Sequence, residues 1–216
     1  MNTSFQRKSR SGITLLEVMI VIAILAVLTV LLLPYLARPR MRSRIGCINM
    51  LKQNGLAFRN WAIDNGDKFP MSVPATKGGT MDSPFVAQPW VHFLVMSNEL
   101  TTPQVLRCPL DQQVKQARAF DASFGSNNVS YFVGLDADES KPQMLLSGDR
   151  NLTLNGKHVA PGLINLATNA NLGWTKAIHK RQGNVGLADG SAQQTTAIRL
   201  SEVNTQSGET NRLAVP

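Results

Sequence analysis

The stretch ITLLEVMIVIAILAVLTVLLL, residues 13–33, decides how the rest of the chain is read. It is 21 residues long and contains one charge, Glu17, and two threonines. At 1.5 Å per residue a helix of this length crosses a hydrocarbon core of about 30 Å. A helix of this length buried in a protein core would show a polar face, and this one has none beyond its first turn. The run is too long for the apolar region of a secretory signal, and it ends in Leu-Leu-Leu-Pro rather than in the small residues of an ordinary cleavage site. The stretch therefore reads as a membrane-spanning helix behind a short basic leader. Glu17 stands out within it. An acid in a membrane segment costs about 2.5–3.5 kcal/mol at the centre and less near an edge, so it needs a cation. A cut before Ile13 would create one, an α-amine one helical turn away.

Working outward, the flanks hold most of the excess charge. The 216-residue chain has a formal net charge of +8. Arg7, Lys8 and Arg10 precede the apolar run, and Arg38, Arg40, Arg42 and Arg44 follow it. With these seven set aside the chain is close to neutral, so lipid headgroups explain the basic residues better than DNA does, and no nucleic-acid partner is expected. A count of flanking positive charges favours the far side as cytoplasmic. The processing pattern described below requires the opposite orientation and takes precedence. Roughly 180 residues remain outside leader and span, enough for one domain with its own core.

Pro34 and Pro39 interrupt the helix as it leaves the apolar stretch, and a kink is expected at Pro34. Ile48, Leu51, Gly55, Phe58 and Ala62, spaced 3, 4, 3, 4, then form one stripe of an amphipathic helix. Asn65-Gly66, with Pro70 beyond, stops it. The helix from Ile13 to Asn65 would be about 80 Å long with a break near the prolines, its second half packed on a sheet. Residues 70–87 read as loop and 88–100 as a short helix. The runs 130–135, 143–147, 184–188 and 192–198 read as strands. Helix first and strands after give an α+β fold with an antiparallel sheet. Its segments are leader 1–12, membrane helix 13–36, extracytoplasmic amphipathic helix 37–66 and globular domain 67–216.

Beyond residue 66 the candidate sites are weaker. Asp189-Gly190 lies in a hairpin pattern where Asp-Gly supplies the positive φ angles of a two-residue turn. A site using His179 and Asp189 is the sharper alternative. Asp136, Asp138 and Glu139 form an acidic cluster that could hold calcium, although the spacing is not that of an EF-hand, and a solvated loop explains it as well. Cys47 and Cys108 could pair if their side of the membrane is oxidising, closing a loop of about 60 residues, or could remain two small apolar side chains. Catalysis has no support. His92, His158 and His179 lack metal-ligand spacing, Cys108 has no visible basic partner, and there is no phosphate loop, dinucleotide fingerprint or Gly-x-Ser-x-Gly element.

The run Gly12-Ile13-Thr14-Leu15-Leu16-Glu17 after a basic leader resembles the processing site of type IV prepilins and type II secretion pseudopilins. The resemblance implies a pilin-like fold, with Pro34 in the position of a common pilin helix proline. It also implies cleavage between Gly12 and Ile13 by a prepilin peptidase on the cytoplasmic side, and N-methylation of Ile13. Glu17 would then pair with the N-terminus of a neighbouring subunit. The implied partners are copies of the chain, other pilin-like subunits, the lipid bilayer and an inner-membrane assembly platform. The implied location is the bacterial inner membrane, single-pass, with the C-terminal domain periplasmic. No cofactor is required, calcium being the one candidate, since major pseudopilins use a calcium-stabilised loop.

A second resemblance covers most of the chain. His179, nine residues, then Asp189-Gly190 is similar to the H-x9-DG element that ends a large group of bacterial prepilin-like proteins. Residues 47–57, Asp64-Asn65, Phe69-Pro70, Cys108-Pro109 and Ser130-Tyr131 match further landmarks of that group. Met50 and Asn54 depart from it, standing where Asn and a larger apolar residue are expected. Two functions stay open: a filament subunit, and a membrane-tethered domain that presents its sheet to a ligand or metal.

Overall fold

The structure, a computed structural model, describes residues 14–36 and 39–216, with side chains over 14–31 and from Ile45 onward. Gly12, Ile13 and the arginines at 38, 40, 42 and 44 lie outside what it describes, in backbone or in side chain. Two compact units divide between Arg42 and Ser43.

The first unit contains α1, Leu15–Leu36. Thr14 caps it, accepting a hydrogen bond from the backbone N–H of Glu17 at 3.3 Å. Thr14-x-x-Glu17 is the sequence form of a capping box, and an acid in the first turn also complements the helix dipole. Every described side chain from Thr14 to Leu31 is exposed. The one polar group further along, the Thr29 hydroxyl, donates back to the carbonyls of Leu25 and Ala26 at 2.7 and 2.9 Å, so α1 offers its surroundings no unsatisfied hydroxyl there. Among the described residues no helix is long and apolar enough to cross a membrane, the side chains of α1 being described only to Leu31. The helix runs through Pro34 to Leu36, and Pro39 opens α2, Pro39–Asp64, at a position where a missing N–H costs nothing.

From Ile45 onward α2 is amphipathic, as expected, but its buried stripe is wider than the one read from sequence. Cys47, Leu51, Asn54, Ala57, Phe58, Trp61 and Ala62 are buried, while Ile48 is half-buried. The helix ends where expected, with Gly66 at φ 70° and Asp67 donating to the Ala62 carbonyl. Phe58 meets Phe69 and Phe93 with ring centroids 5.8 Å apart in both pairs.

The 88–100 segment forms two short helices, α3 (Pro89–Leu94) and α4 (Ser97–Leu100), instead of one. Nine strands follow: β1 Tyr131–Gly134, β2 Leu145–Asp149, β3 Leu152–Leu154, β4 Lys157–His158, β5 Gly162–Leu166, β6 Leu172–Trp174, β7 Gly183–Leu187, β8 Ala192–Thr195 and β9 Asn211–Val215. A helix, α5 (Ala197–Gln206), precedes β9. The main sheet has the order β5-β9-β1-β2-β7-β8, antiparallel throughout, and β4-β3-β6 form a small second sheet. Expected and observed strands agree at β1 and β7. The expected strand 143–147 sits two residues later as β2, and 192–198 gives up its end to α5. There Thr196 caps the helix, its hydroxyl accepting from the Arg199 N–H.

Layers cover both faces of the main sheet, so β1, β2 and β7 are buried at every position. Tyr131, Val133 and Leu146 point into the core shared with α2 and α3, whereas Phe132, Leu145, Val185 and Leu187 point into the core shared with β3, β6 and α5. Gly186 lets α2 come close: a Cβ there would stand 3.4 Å from Leu51 Cγ. The architecture is α+β and pilin-like, a helix laid on an antiparallel sheet.

Candidate functional site

The groups with chemistry in this chain lie in two places. The first is the head of α1. Of its predicted site residues, Glu17 alone is described; it is exposed, one turn into the helix.

The second place is buried, and its components come from distant parts of the sequence. Cys47 comes from the inward stripe of α2. Cys108 follows the 3-10 turn Pro103–Leu106, held beside β1 by the Ser130 N–H donating to the Leu106 carbonyl. His179 lies in the turn between β6 and β7. Two consecutive non-glycine residues follow it in left-handed conformation, Lys180 at φ 55° and Arg181 at φ 67°, and Arg181 N–H closes the turn onto Thr175 at 3.1 Å. Such conformations cost of order 1–3 kcal/mol each and persist only where surrounding structure enforces them.

The turn delivers His179 to the sulfurs. Cys47 Sγ, Cys108 Sγ and a ring nitrogen of His179 lie within 4.8 Å of one another, all three residues buried. Both cysteines are free thiols. His179 Nε2 is 3.4 Å from Cys108 Sγ, 3.2 Å from Asp149 Oδ2 and 3.1 Å from Asn184 Nδ2. Asn184 also donates its backbone and side-chain N–H groups to Asp149 Oδ2, at 2.7 and 2.9 Å. Burial opposes charge on His179, but hydrogen bonds to Asp149 and Cys108 outweigh it and raise its pKa to about 9. The Cys108 thiol is pushed well up, first by its contact with Cys47 and then by burial.

His92 shows what a purely structural histidine looks like in the same core. Its Nδ1 meets Thr80 Oγ1 at 2.7 Å and its Nε2 meets the Val86 carbonyl at 2.8 Å. With both nitrogens satisfied, burial lowers its pKa to about 4. In His179 three groups crowd Nε2 and Nδ1 has no partner.

Several expectations are corrected here. The basic partner for Cys108 that is not visible in the sequence is His179. The pair still lacks the form of a nucleophile and its base: the thiol is buried and hard to ionise, and Asp149 contacts the same imidazole nitrogen as the sulfur instead of the opposite one. His179 and Asp189 do not share a site. Asp189 is exposed and accepts from the Ser191 N–H at 2.8 Å. The Asp-Gly turn is not a two-residue turn either. Ala188, Asp189 and Gly190 form the loop, Gly190 alone taking positive φ (81°), with Gly190 N–H bonded to Leu187 and Leu187 N–H to Ser191. That loop docks on α2: a Cβ on Gly55 would stand 3.4 Å from Gly190 Cα, and Arg59 Nη1 donates to the Asp189 carbonyl at 3.1 Å.

The acidic cluster is likewise divided among separate partners. Asp136 takes Arg212 through both carboxylate oxygens, Asp138 caps Ser140, and Glu139 meets Arg59 at 3.3 Å. Among the described residues the grouping with metal-ligand geometry is Cys47, Cys108 and His179, not these acids.

Asp149 and Asn184 went unnoticed in the sequence. The one signal for Asp149 is an acid closing the otherwise uncharged run Leu145-Leu146-Ser147-Gly148, and nothing local marks Asn184.

The chain matches the prokaryotic N-terminal methylation motif over residues 7–33, which supports a type IV pilin-like protein processed by a prepilin peptidase. No curated protein and no solved structure matches it.

Proposed function

We propose that this chain is a pilin-like structural subunit. It is cut between Gly12 and Ile13, methylated on Ile13, and assembled through α1 into a filament of the type II secretion or type IV pilus kind. The observation that carries this reading is a methylation motif leading into a helix whose described side chains are apolar on every side, exposed from Thr14 to Leu31, and interrupted by one acid. A surface of that kind needs lipid or other helices around it. The bilayer supplies the first environment, with α1 as a single-pass anchor in the bacterial inner membrane and the sheet domain outside it. Copies of the chain supply the second. Glu17 links the two, because the new amine of Ile13 on an adjacent copy is the cation that offsets its burial, and Coulomb attraction in that layer far exceeds its value in water.

The buried cysteine–histidine cluster favours a second reading, a monomeric tethered domain with the same anchor. Crosslinking between copies in membranes, wild type against Glu17→Leu, separates them. The variant makes the helix more apolar, so it inserts and is cleaved normally but enters filaments poorly. Capping of α1 by Thr14 alone would be insensitive to whether neighbours are present. Equal crosslinking and normal filaments in the variant remove the assembly role and leave the tethered domain.

A further inference from the structure

We infer that Cys47, Cys108 and His179 form a binding site for a thiophilic divalent cation of the zinc class, clamping α2 to the sheet domain. The donor set comes first. Two sulfurs and one imidazole nitrogen are the ligands zinc takes in proteins, and softer donors of this kind disfavour calcium and magnesium. Spacing comes next. Tetrahedral zinc, with bonds of about 2.3 Å to sulfur and about 2.0 Å to nitrogen, places its ligand atoms about 3.5–3.8 Å apart. The Cys108–His179 separation of 3.4 Å is already there, and every separation in the trio is within 4.8 Å. Side-chain rotation of about an ångström closes the set.

Hydrogen bonding gives an independent reason. An imidazole nitrogen carries at most one hydrogen, so the three polar neighbours of His179 Nε2 cannot all be its hydrogen-bond partners. At the same place His179 Nδ1, Asp149 Oδ1, Asn184 Oδ1 and the Tyr131 hydroxyl are buried without partners, Tyr131 lying directly opposite Asp149 in the β1–β2 register. Orphaned groups in this number are costly unless something organises them. A disulfide between Cys47 and Cys108 would account for the sulfurs and leave the histidine and these atoms unexplained. A cation accounts for the sulfurs, for the crowding at His179 Nε2 and, as a fourth ligand, for Asp149 Oδ1.

The charges nearly balance. Binding displaces one proton from each thiol and one from the His179 imidazolium, so the two thiolates cancel the double charge of the ion and the Asp149 carboxylate beside it carries the one remaining negative charge. Asp149, held by two N–H donors of Asn184, lies on the same ring nitrogen that would ligate the ion and has its Oδ1 free to turn to it as a fourth ligand. The clamp would join three segments that are remote in sequence, and it rests on different residues from the assembly role of α1, so either can fail without the other.

The full-length chain, purified in detergent micelles under reduction and stripped with a chelator, is titrated with cobalt(II) and then zinc(II). One equivalent of cobalt should produce a thiolate-to-cobalt charge-transfer band and strong tetrahedral d–d bands, which one equivalent of zinc abolishes. Both thiols should become resistant to alkylation in the zinc form. Cys108→Ser should lose charge-transfer intensity and His179→Gln should shift the d–d bands, each weakening affinity by more than the ~100-fold that loss of an outer-shell partner costs. Circular dichroism reports whether each variant folds, and where one does not, stoichiometry and thiol protection in the unmodified chain decide. Two outcomes overturn the proposal. A chain isolated without reductant that is lighter by two hydrogens and has no alkylatable thiol contains the disulfide. Two reactive thiols and no cobalt spectrum show a hydrogen-bonded core and nothing more.

Discussion

The two long helices stand next to each other in sequence and obey opposite rules. In α1 every described side chain from Thr14 to Leu31 is exposed although nearly all are apolar. In α2 the apolar residues fall on one side, and Cys47, Leu51, Phe58 and Ala62 are completely or almost completely buried against the sheet domain. Uniform hydrophobicity gives a helix no preferred side, so α1 draws its stability from whatever apolar medium surrounds it. A stripe commits a helix to one partner surface, and for α2 that surface lies in the same chain. Changes in α1 should therefore alter membrane behaviour and assembly without unfolding the head, and changes in α2 should do the reverse.

The largest test is at the processing site. A peptidase that cuts after Gly12 must fit the backbone there closely, and any side chain obstructs it. Gly12→Val should accumulate as full-length precursor with an unchanged melting profile of the sheet domain. A mature N-terminus at Ile13, found by mass spectrometry in that variant, would remove the processing assignment.

Phe58→Ala is the converse. It opens a cavity between Phe69 and Phe93 in the α2 core, and a truncation of this kind costs about 3–5 kcal/mol. The denaturation midpoint of the head should fall sharply while cleavage stays normal. Unaltered stability would mean that α2 is not committed to the head at all.

Asn54 predicts a gain. It lies on the buried stripe, fully inaccessible, and neither its amide nitrogen nor its oxygen has a partner. Asn54→Leu keeps the branched skeleton and removes an unpaired buried amide worth about 1–3 kcal/mol, so the head should become more stable. If it becomes less stable, the amide has a partner outside this chain.

The smallest effect concerns the acidic loop. Partial burial works against the Asp136 carboxylate, but the two-pronged contact with Arg212 prevails and holds its pKa below the usual aspartate value. A depressed folded-state value means that the stabilisation is present above the ordinary aspartate range and is lost as pH falls through the lowered value. Asp136→Asn should flatten the acid limb of a stability–pH curve, and titration with calcium should leave both curves unmoved. A calcium-induced rise in the wild type alone would restore the cation reading of that loop.

How much could be read in advance depended on how local each signal is. The apolar run, the processing pattern, the stop at Gly66 and the strands β1 and β7 are each written in a short window, where composition or one turn residue is sufficient. The helix α5 was missed because its buried residues, Leu200, Val203 and Asn204, are few and polar neighbours surround them. Strands β3, β4 and β6 have only two or three residues, and β5 and β9 are recognisable only once they are seen to pair with each other.

By itself the sequence determined a chain with an N-terminal methylation motif, a helix apolar but for Glu17 and a threonine, an amphipathic one and an antiparallel α+β domain after it. Each of these follows from periodicity or from a contiguous motif. Only the tertiary structure decided that Cys47, Cys108 and His179 meet, that Asp189 stays apart from His179, and that the three loop acids go to separate partners, two of them arginines and one Ser140. Sequence spacing carries no information about contacts made through a sheet face, because strand order and the docking of α2 place residues from remote segments side by side. Chemistry assembled from a helix, a loop and an inter-strand turn becomes visible when the packing that creates it is complete.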